Sequence, residues 1–336
     1  MRPPSPSALQ PIPRRTFLGT LLSGALLQTA HAEIPQPGGH AAQAFHLDPD
    51  WPKLSPDVYP ERCQMAGVAI AKNGCILALN RGENPWDPRK GFRKTRIQKP
   101  AVLVIDPGSG ELQSAWGKDS FIMPHQISVA PSGNVWITDV GLSSVFEFDP
   151  LGKPIRELTR ASLGFNMPTD IAFLRDGSLL ISDGYGNTRV VLLDPAGKLL
   201  ASWGSRGSAP LQFRTPHSIA VDPEDRIYVA DRENHRIQVL DHTGKVEALW
   251  THVERPLTVR FAAGSLFVLS NLDAPNAIVR RLSPRGELQE SFHTLPEGSS
   301  DDFQWPHGMA VSSDGNSVYV GFTLTSRRIQ RYVRRG

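Results

Sequence analysis

The chain has 336 residues, 36 of them Lys or Arg and 33 Asp or Glu, in ordinary globular proportion to its apolar residues. Its formal charge of +3 stems from Arg2, Arg14 and Arg15, so residues 33–336 are neutral overall and give no support to nucleic-acid or acidic-membrane binding. Gly and Pro number 29 each and no long heptad pattern appears, which disfavours a helical bundle and favours short strands joined by tight turns.

Residues 1–32 read as a leader. Arg14-Arg15-Thr16-Phe17-Leu18 is a twin-arginine signature, Leu18 to Leu27 is an apolar run, and Ala30-His31-Ala32 is a cleavage site. The apolar run is too short for a bilayer, which needs about 20 residues. Export by the twin-arginine route to the periplasm or the medium is expected, with no membrane insertion once the leader is removed. Residues 33–60 form an N-terminal segment, and 61–336 a single repeat domain expected to be monomeric.

Cys63 and Cys75 are the two cysteines. In an oxidising compartment they can pair across the turn at Asn73-Gly74 or persist as two buried thiols, and the sequence leaves both open.

From Met65 onward one unit recurs: a strand such as Pro-x-x-Ile-Ala-Val, a turn ending in Gly, and an apolar strand ending in Asp. A polar turn, a third strand, Asp-Pro-x-Gly-Lys and a short fourth strand complete it. Copies start near Met65, Met123, Met167, Thr215, Arg255 and Trp305. Their anchors Pro124, Pro168, Pro216, Pro256 and Pro306 lie 44, 48, 40 and 50 residues apart. Four strands per 40–50 residues is the period of propeller blades, so the chain is expected to be all-β and to form a six-bladed β-propeller. Gly82 to Lys99 is an insertion in the first blade. The last copy stops after its third strand at Val333, and a segment near Ala44 to Leu54 is expected to supply the fourth and close the ring.

In such a ring the first strand of each blade lines the axis. The residue after each anchor recurs as a circle: Ala66, His125, Thr169, His217, Leu257 and His307. Histidine occupies alternate blades, which aims three imidazoles at one point, and three His ligands with an open fourth position is a catalytic zinc arrangement. Any one of these histidines alone reads more readily as structural; three in register point to a metal. A second circle, at the end of the second strands, holds Asn80, Asp139, Asp183, Asp231, Ser270 and Gly321 or Phe322. These are expected to bond turn amides, with orientation of a ligand His as the alternative. Just beyond it stand Arg81 and Tyr185. The arginine can hold a substrate carboxylate, and a phenol beside a metal can act as general base.

Ala230-Asp231-Arg232-Glu233-Asn234-His235-Arg236-Ile237-Gln238-Val239 resembles the NHL repeat, and its His235 belongs to that structural phrase rather than to the circle of ligands. Several phrases go further: Val135-Trp136-Ile137-Thr138-Asp139-Val140, Pro168-Thr169-Asp170-Ile171-Ala172, Ser182-Asp183-Gly184-Tyr185, and Arg81-Gly82 with Trp86-Asp87. They resemble the peptidyl-α-hydroxyglycine α-amidating lyase family from about Phe45 to Val333.

The resemblance implies an NHL-type propeller with one zinc ion on His125, His217 and His307, and Arg81 and Tyr185 as catalytic residues. It implies cleavage of a small-molecule or peptide substrate ending in α-hydroxyglycine to an amide and glyoxylate. Two departures stand out. The family's structural calcium takes an aspartate after the third zinc histidine, where this chain has Gly308, which argues against Ca2+. The family's cysteine after the tyrosine is Gly186 here. No oxygenase-like sequence accompanies the repeats, which leaves room for another N-acyl carbinolamide or a related α-hydroxy acid derivative as substrate. The competing readings are a non-catalytic NHL propeller that binds a peptide or protein partner, and a metal-dependent lactonase or other hydrolase; the latter generally uses carboxylate ligands, which the all-histidine set disfavours.

Overall fold

The computed structural model describes residues 45–55, 63–87, 89–271, 277–294, 304–324 and 329–335. The expected leader and cleavage site, residues 1–32, lie outside them. Among the described residues, six four-stranded antiparallel sheets and one small two-stranded sheet form a six-bladed β-propeller. Blade one comprises Met65–Ile70, Ile76–Asn80, Val102–Ile105 and Leu112–Trp116; blade two Pro124–Val129, Val135–Asp139, Ser144–Phe148 and Pro154–Leu158. Blade three comprises Asp170–Phe173, Leu179–Asp183, Arg189–Leu193 and Leu199–Trp203; blade four Pro216–Val221, Ile227–Asp231, Arg236–Leu240 and Val246–Trp250. Blade five comprises Pro256–Ala262, Ser265–Asn271, Ala277–Leu282 and Leu288–His293.

The sixth blade joins Gln304–Val311, Ser317–Leu324 and Ile329–Arg334 to Phe45–Leu47 from the other end of the chain. Phe45 pairs with Arg334 and Leu47 with Tyr332. The Phe45 ring stacks on Phe292 at 4.7 Å, and Arg331 Nε donates to Asp48 at 2.9 Å. The ring is therefore closed by an N-terminal strand, which removes the free edge that the repeat alone would leave.

Burial follows radius. The second strands of blades one to five are buried along their whole length, while outer strands such as Leu112–Trp116 and Leu199–Trp203 are partly or fully exposed at every position. The apolar core is divided into six clusters, each astride two neighbouring blades; one packs Leu77, Leu79 and Val102 of blade one on Ile127, Val135 and Ile137 of blade two. Each fully buried aliphatic side chain contributes about 1.5–3 kcal/mol, so the blades are held chiefly through their faces.

One feature of the inner strands positions the site. In blades one, two, four, five and six the pairing of first and second strands slips by one residue, at Ala66, His125, His217, Leu257 and His307. These are β-bulges, and a bulged residue leaves the ladder and is re-aimed. In blade three the strand begins at Asp170, leaving Thr169 outside it. The residue after the anchor is thus freed from ordinary pairing all the way round.

Cys63 and Cys75 are both buried and are not joined in a disulfide. Each thiol lies against a different partner, Asn80 Oδ1 at 3.3 Å and Gln113 Oε1 at 3.2 Å, which resolves the open question in favour of separate thiols.

Candidate metal centre

His125, His217 and His307 come together on the axis. Their ring centroids are 4.6, 4.8 and 5.1 Å apart, with planes inclined at 74–78°. One nitrogen from each lies within 4.8 Å of the others, and all three side chains are buried.

The other nitrogen of each ring is committed. His125 Nδ1 meets the carbonyl oxygen of Thr169 at 2.6 Å, His217 Nδ1 that of Leu257 at 2.7 Å, and His307 Nδ1 that of Ala66 at 2.7 Å. The three acceptors are the three non-histidine members of the circle. A carbonyl can only accept, so each imidazole carries its proton on Nδ1 and turns an unprotonated Nε2 to the axis. Bulging at Ala66 and Leu257 leaves those carbonyls outside regular pairing, where the neighbouring imidazole can reach them.

Burial drives all three imidazoles towards the neutral form. His125 and His217 are held well below the ordinary histidine range by burial first, with neighbouring imidazoles and the guanidiniums of Arg81 and Arg232 adding to it. His307 is lowered to about 3 by burial and then Arg81. Tyr185 Oη lies 2.9 Å from His217 Nε2 and 3.2 Å from His125 Nε2. Its single proton can serve only one of them, and His307 Nε2 has no hydrogen-bond partner among the described residues. Three buried acceptors with one donor between them fit a soft-to-borderline cation, and neutral imidazole nitrogen is a ligand for zinc and related divalent ions.

The circle of carboxylates plays a structural part. Asp139 accepts from the amides of Ile122 at 2.8 Å and Leu142 at 2.8 Å, Asp183 from the amide of Asn166 at 2.9 Å, and Asp231 from that of Arg214 at 2.7 Å. Each pins the loop that precedes an anchor proline, and none bonds a ligand histidine.

Arg81 is buried at the end of its strand, where Nε donates to Pro124 O at 3.2 Å and Nη1 to Gln64 Oε1 at 3.0 Å. Burial lowers it to about 10, against the opposing pull of Tyr185 and Asp139. Two further residues escaped the sequence reading. Arg232 Nη1 donates to Tyr185 Oη at 3.3 Å while its Nε pairs with Glu233 at 2.8 Å. It follows Asp231 as Arg81 follows Asn80, so the blade register carried the signal although the NHL phrase masked it. Trp86, in the blade-one insertion, lies nearly parallel to Tyr185 with ring centroids 6.1 Å apart, and Gln64 clamps its backbone from both sides at 3.0 Å. His235 caps a short 3-10 turn in the left-handed conformation and is no part of the triad.

Gly308 packs against the neighbouring blade. A Cβ there would stand 2.6 Å from Gly67 Cα and 2.7 Å from Ala66 O, so this packing has no room for a carboxylate side chain beside His307.

Comparison with known proteins agrees with the geometry. The NHL repeat model matches residues 213–240. Peptidyl-α-hydroxyglycine α-amidating lyase 2 of Drosophila melanogaster is 30% identical over 80% of this chain and 72% of its own length. Peptidylglycine α-amidating monooxygenase of Rattus norvegicus is 33% identical over 90% of this chain, which spans only 34% of that longer protein. Virginiamycin B lyase of Staphylococcus aureus superposes with a TM-score of 0.58 at 13% identity, covering 86% of this chain and 99% of that one. A gluconolactonase of Xanthomonas campestris superposes at 0.57 and 13%, covering 83% and 88%. At that identity the two structures share the fold alone. The sequence relatives, reached over most of their length in the Drosophila case, settle the family: the chain belongs to the peptidyl-α-hydroxyglycine α-amidating lyases.

Proposed function

We propose that this chain is a zinc-dependent lyase that cleaves the carbinolamide N–C bond of an N-acyl-α-hydroxyglycine, releasing an amide and glyoxylate. The observation that carries the reading is the convergence of three unprotonated imidazole nitrogens with the Tyr185 hydroxyl, beside the buried guanidinium of Arg81 and the partly buried one of Arg232. His125, His217 and His307 would hold the metal, and a bound zinc ion would supply Lewis acidity towards the substrate hydroxyl oxygen.

The protein's own groups then have defined tasks. Tyr185, acting as phenolate, takes the hydroxyl proton on Oη and passes it to the leaving amide nitrogen, while the charged N–H of Arg232 donates to that oxygen. The C–O bond becomes the aldehyde C=O, the C–N electron pair leaves with the amide nitrogen, and that nitrogen takes up a proton. Arg81 and Arg232 offer the positive charge that a glycolate carboxylate requires. Trp86 lies over Tyr185 and restricts the approach of water. No enzyme nucleophile is needed.

Release of glyoxylate from α-hydroxyhippurate by zinc-loaded protein tests the reading, and absence of release would remove it. A lactonase reading has less support, since the metal-ligating group among the described residues is composed of histidine only. The leader supports the further proposal that the chain works in the periplasm or outside the cell, which fractionation of the producing cells checks.

A further inference from the structure

A groove of about 740 Å³ opens between blades three and four, with Tyr185 in its wall. Tyr185 also touches two of the three candidate ligand histidines, so the groove adjoins the centre across that side chain. Such a volume is within the range of small-ligand sites and takes a short peptide.

Its charges are unequally committed. Arg189 is spent on Asp183 at 2.9 Å and on the carbonyls of Leu163 and Gly164. Glu233 is spent on Arg232 at 2.8 Å and Arg255 at 2.6 Å. Arg206 and Arg214 also line the groove, both exposed, and among the described residues neither guanidinium has an ion-pair or hydrogen-bond partner. The wall therefore presents two uncompensated positive charges and no uncompensated negative one.

Resting on the lyase reading above, we infer that the groove receives the acyl part of the substrate and selects one bearing a carboxylate, as in a peptide with Asp or Glu before the terminal hydroxyglycine. The reacting end is held at the axis, the chain leaves past Tyr185, and the preceding side chain comes within reach of Arg206 and Arg214. A guanidinium pairs with a carboxylate through two parallel hydrogen bonds, which a neutral amide of the same shape cannot match. Two exposed pairs give a preference of roughly five- to tenfold. Screening diminishes it at high salt.

The test uses zinc-loaded, full-length mature protein and unreactive dipeptides with glycine in place of hydroxyglycine. Acetyl-Glu-Gly, acetyl-Gln-Gly and acetyl-Lys-Gly are titrated calorimetrically at low and high salt. The expected order is Glu tighter than Gln by roughly five- to tenfold, Lys weakest, with the difference shrinking at high salt. In the double variant Arg206→Ser, Arg214→Ser the preference disappears while zinc content is unchanged. Equal affinity for Glu and Gln, a preference that survives in the double variant, or no binding of any dipeptide overturns the inference. Failure of hydroxyhippurate turnover overturns the lyase reading instead, and the titrations still decide the groove.

Discussion

His217 Nδ1 and the carbonyl oxygen of Leu257, 40 residues along the chain, lie 2.7 Å apart across a blade boundary. That contact fixes which nitrogen of His217 carries the proton and therefore which one is free on the axis. His125 with Thr169 and His307 with Ala66 repeat it. The candidate metal centre is thus oriented by main chain, which no side-chain substitution in the acceptor removes.

Purified protein is expected to carry one zinc ion per chain, and His217→Ala to lose it. The loss in affinity should exceed the roughly 10- to 100-fold that removal of a supporting partner costs. Elemental analysis of the two proteins checks this, and equal metal content would contradict the assignment.

Tyr185→Phe keeps the ring against Trp86 and removes the oxygen. Turnover is expected to fall by about 10²- to 10⁴-fold, the range of a general base, with zinc content intact. Arg232→Gln removes a charged donor from the same oxygen, and kcat/KM should drop roughly 10- to 100-fold. Steady-state kinetics of both variants tests the pairing, and a Tyr185→Phe enzyme with wild-type kcat would exclude the phenol from proton transfer.

The metal-free protein should lose stability in acid. In the unfolded chain these histidines titrate near the ordinary value of 6.5, whereas His307 when folded resists protonation down to about 3, and His125 and His217 are depressed in the same direction. The unfolded state therefore binds more protons as pH falls below about 6.5, and each histidine lowers stability by about 1.4 kcal/mol per pH unit in that window. Asp139, raised by burial, acts in the opposite sense and lessens the decline. Urea midpoints of EDTA-treated protein between pH 7.5 and 4.5 should fall, and His307→Gln should flatten the fall; a level profile would refute the buried neutral triad.

Gly308→Ala places a methyl group where backbone atoms of Gly67 and Ala66 stand within 3 Å. Overpacking of this kind costs about 1–3 kcal/mol, and displacement of the adjoining His307 should also weaken zinc binding. Thermal melts with and without zinc measure both effects, and unchanged melting would show that the blades separate more readily than their packing implies.

Much of the fold was legible because its information is local and repeated. Anchor prolines 40–50 residues apart gave the number of blades, and the position after each anchor placed His125, His217 and His307 on one circle. Arg81 and Tyr185 were found as residues just past the second strands. Arg232 was missed although it stands in the same register as Arg81, because its surrounding phrase is explained by the repeat itself. Trp86 was noted only as part of a family-like phrase and given no place in the site, since an insertion lies outside the repeat and only its fold brings it alongside Tyr185.

Sequence alone determined the all-β ring, its blade count and the alternation of histidine round the axis, since each follows from spacing along one chain. Tertiary structure decided the one-residue slip at every circle position but Thr169, the carbonyl that each imidazole finds, the meeting of Arg232 with Tyr185 and the separation of Cys63 from Cys75. These depend on how one blade rests on the next, between residues as far apart as His307 and Ala66, 241 positions in sequence. A repeat states where a side chain stands in its own blade; only the packed ring states what stands opposite it.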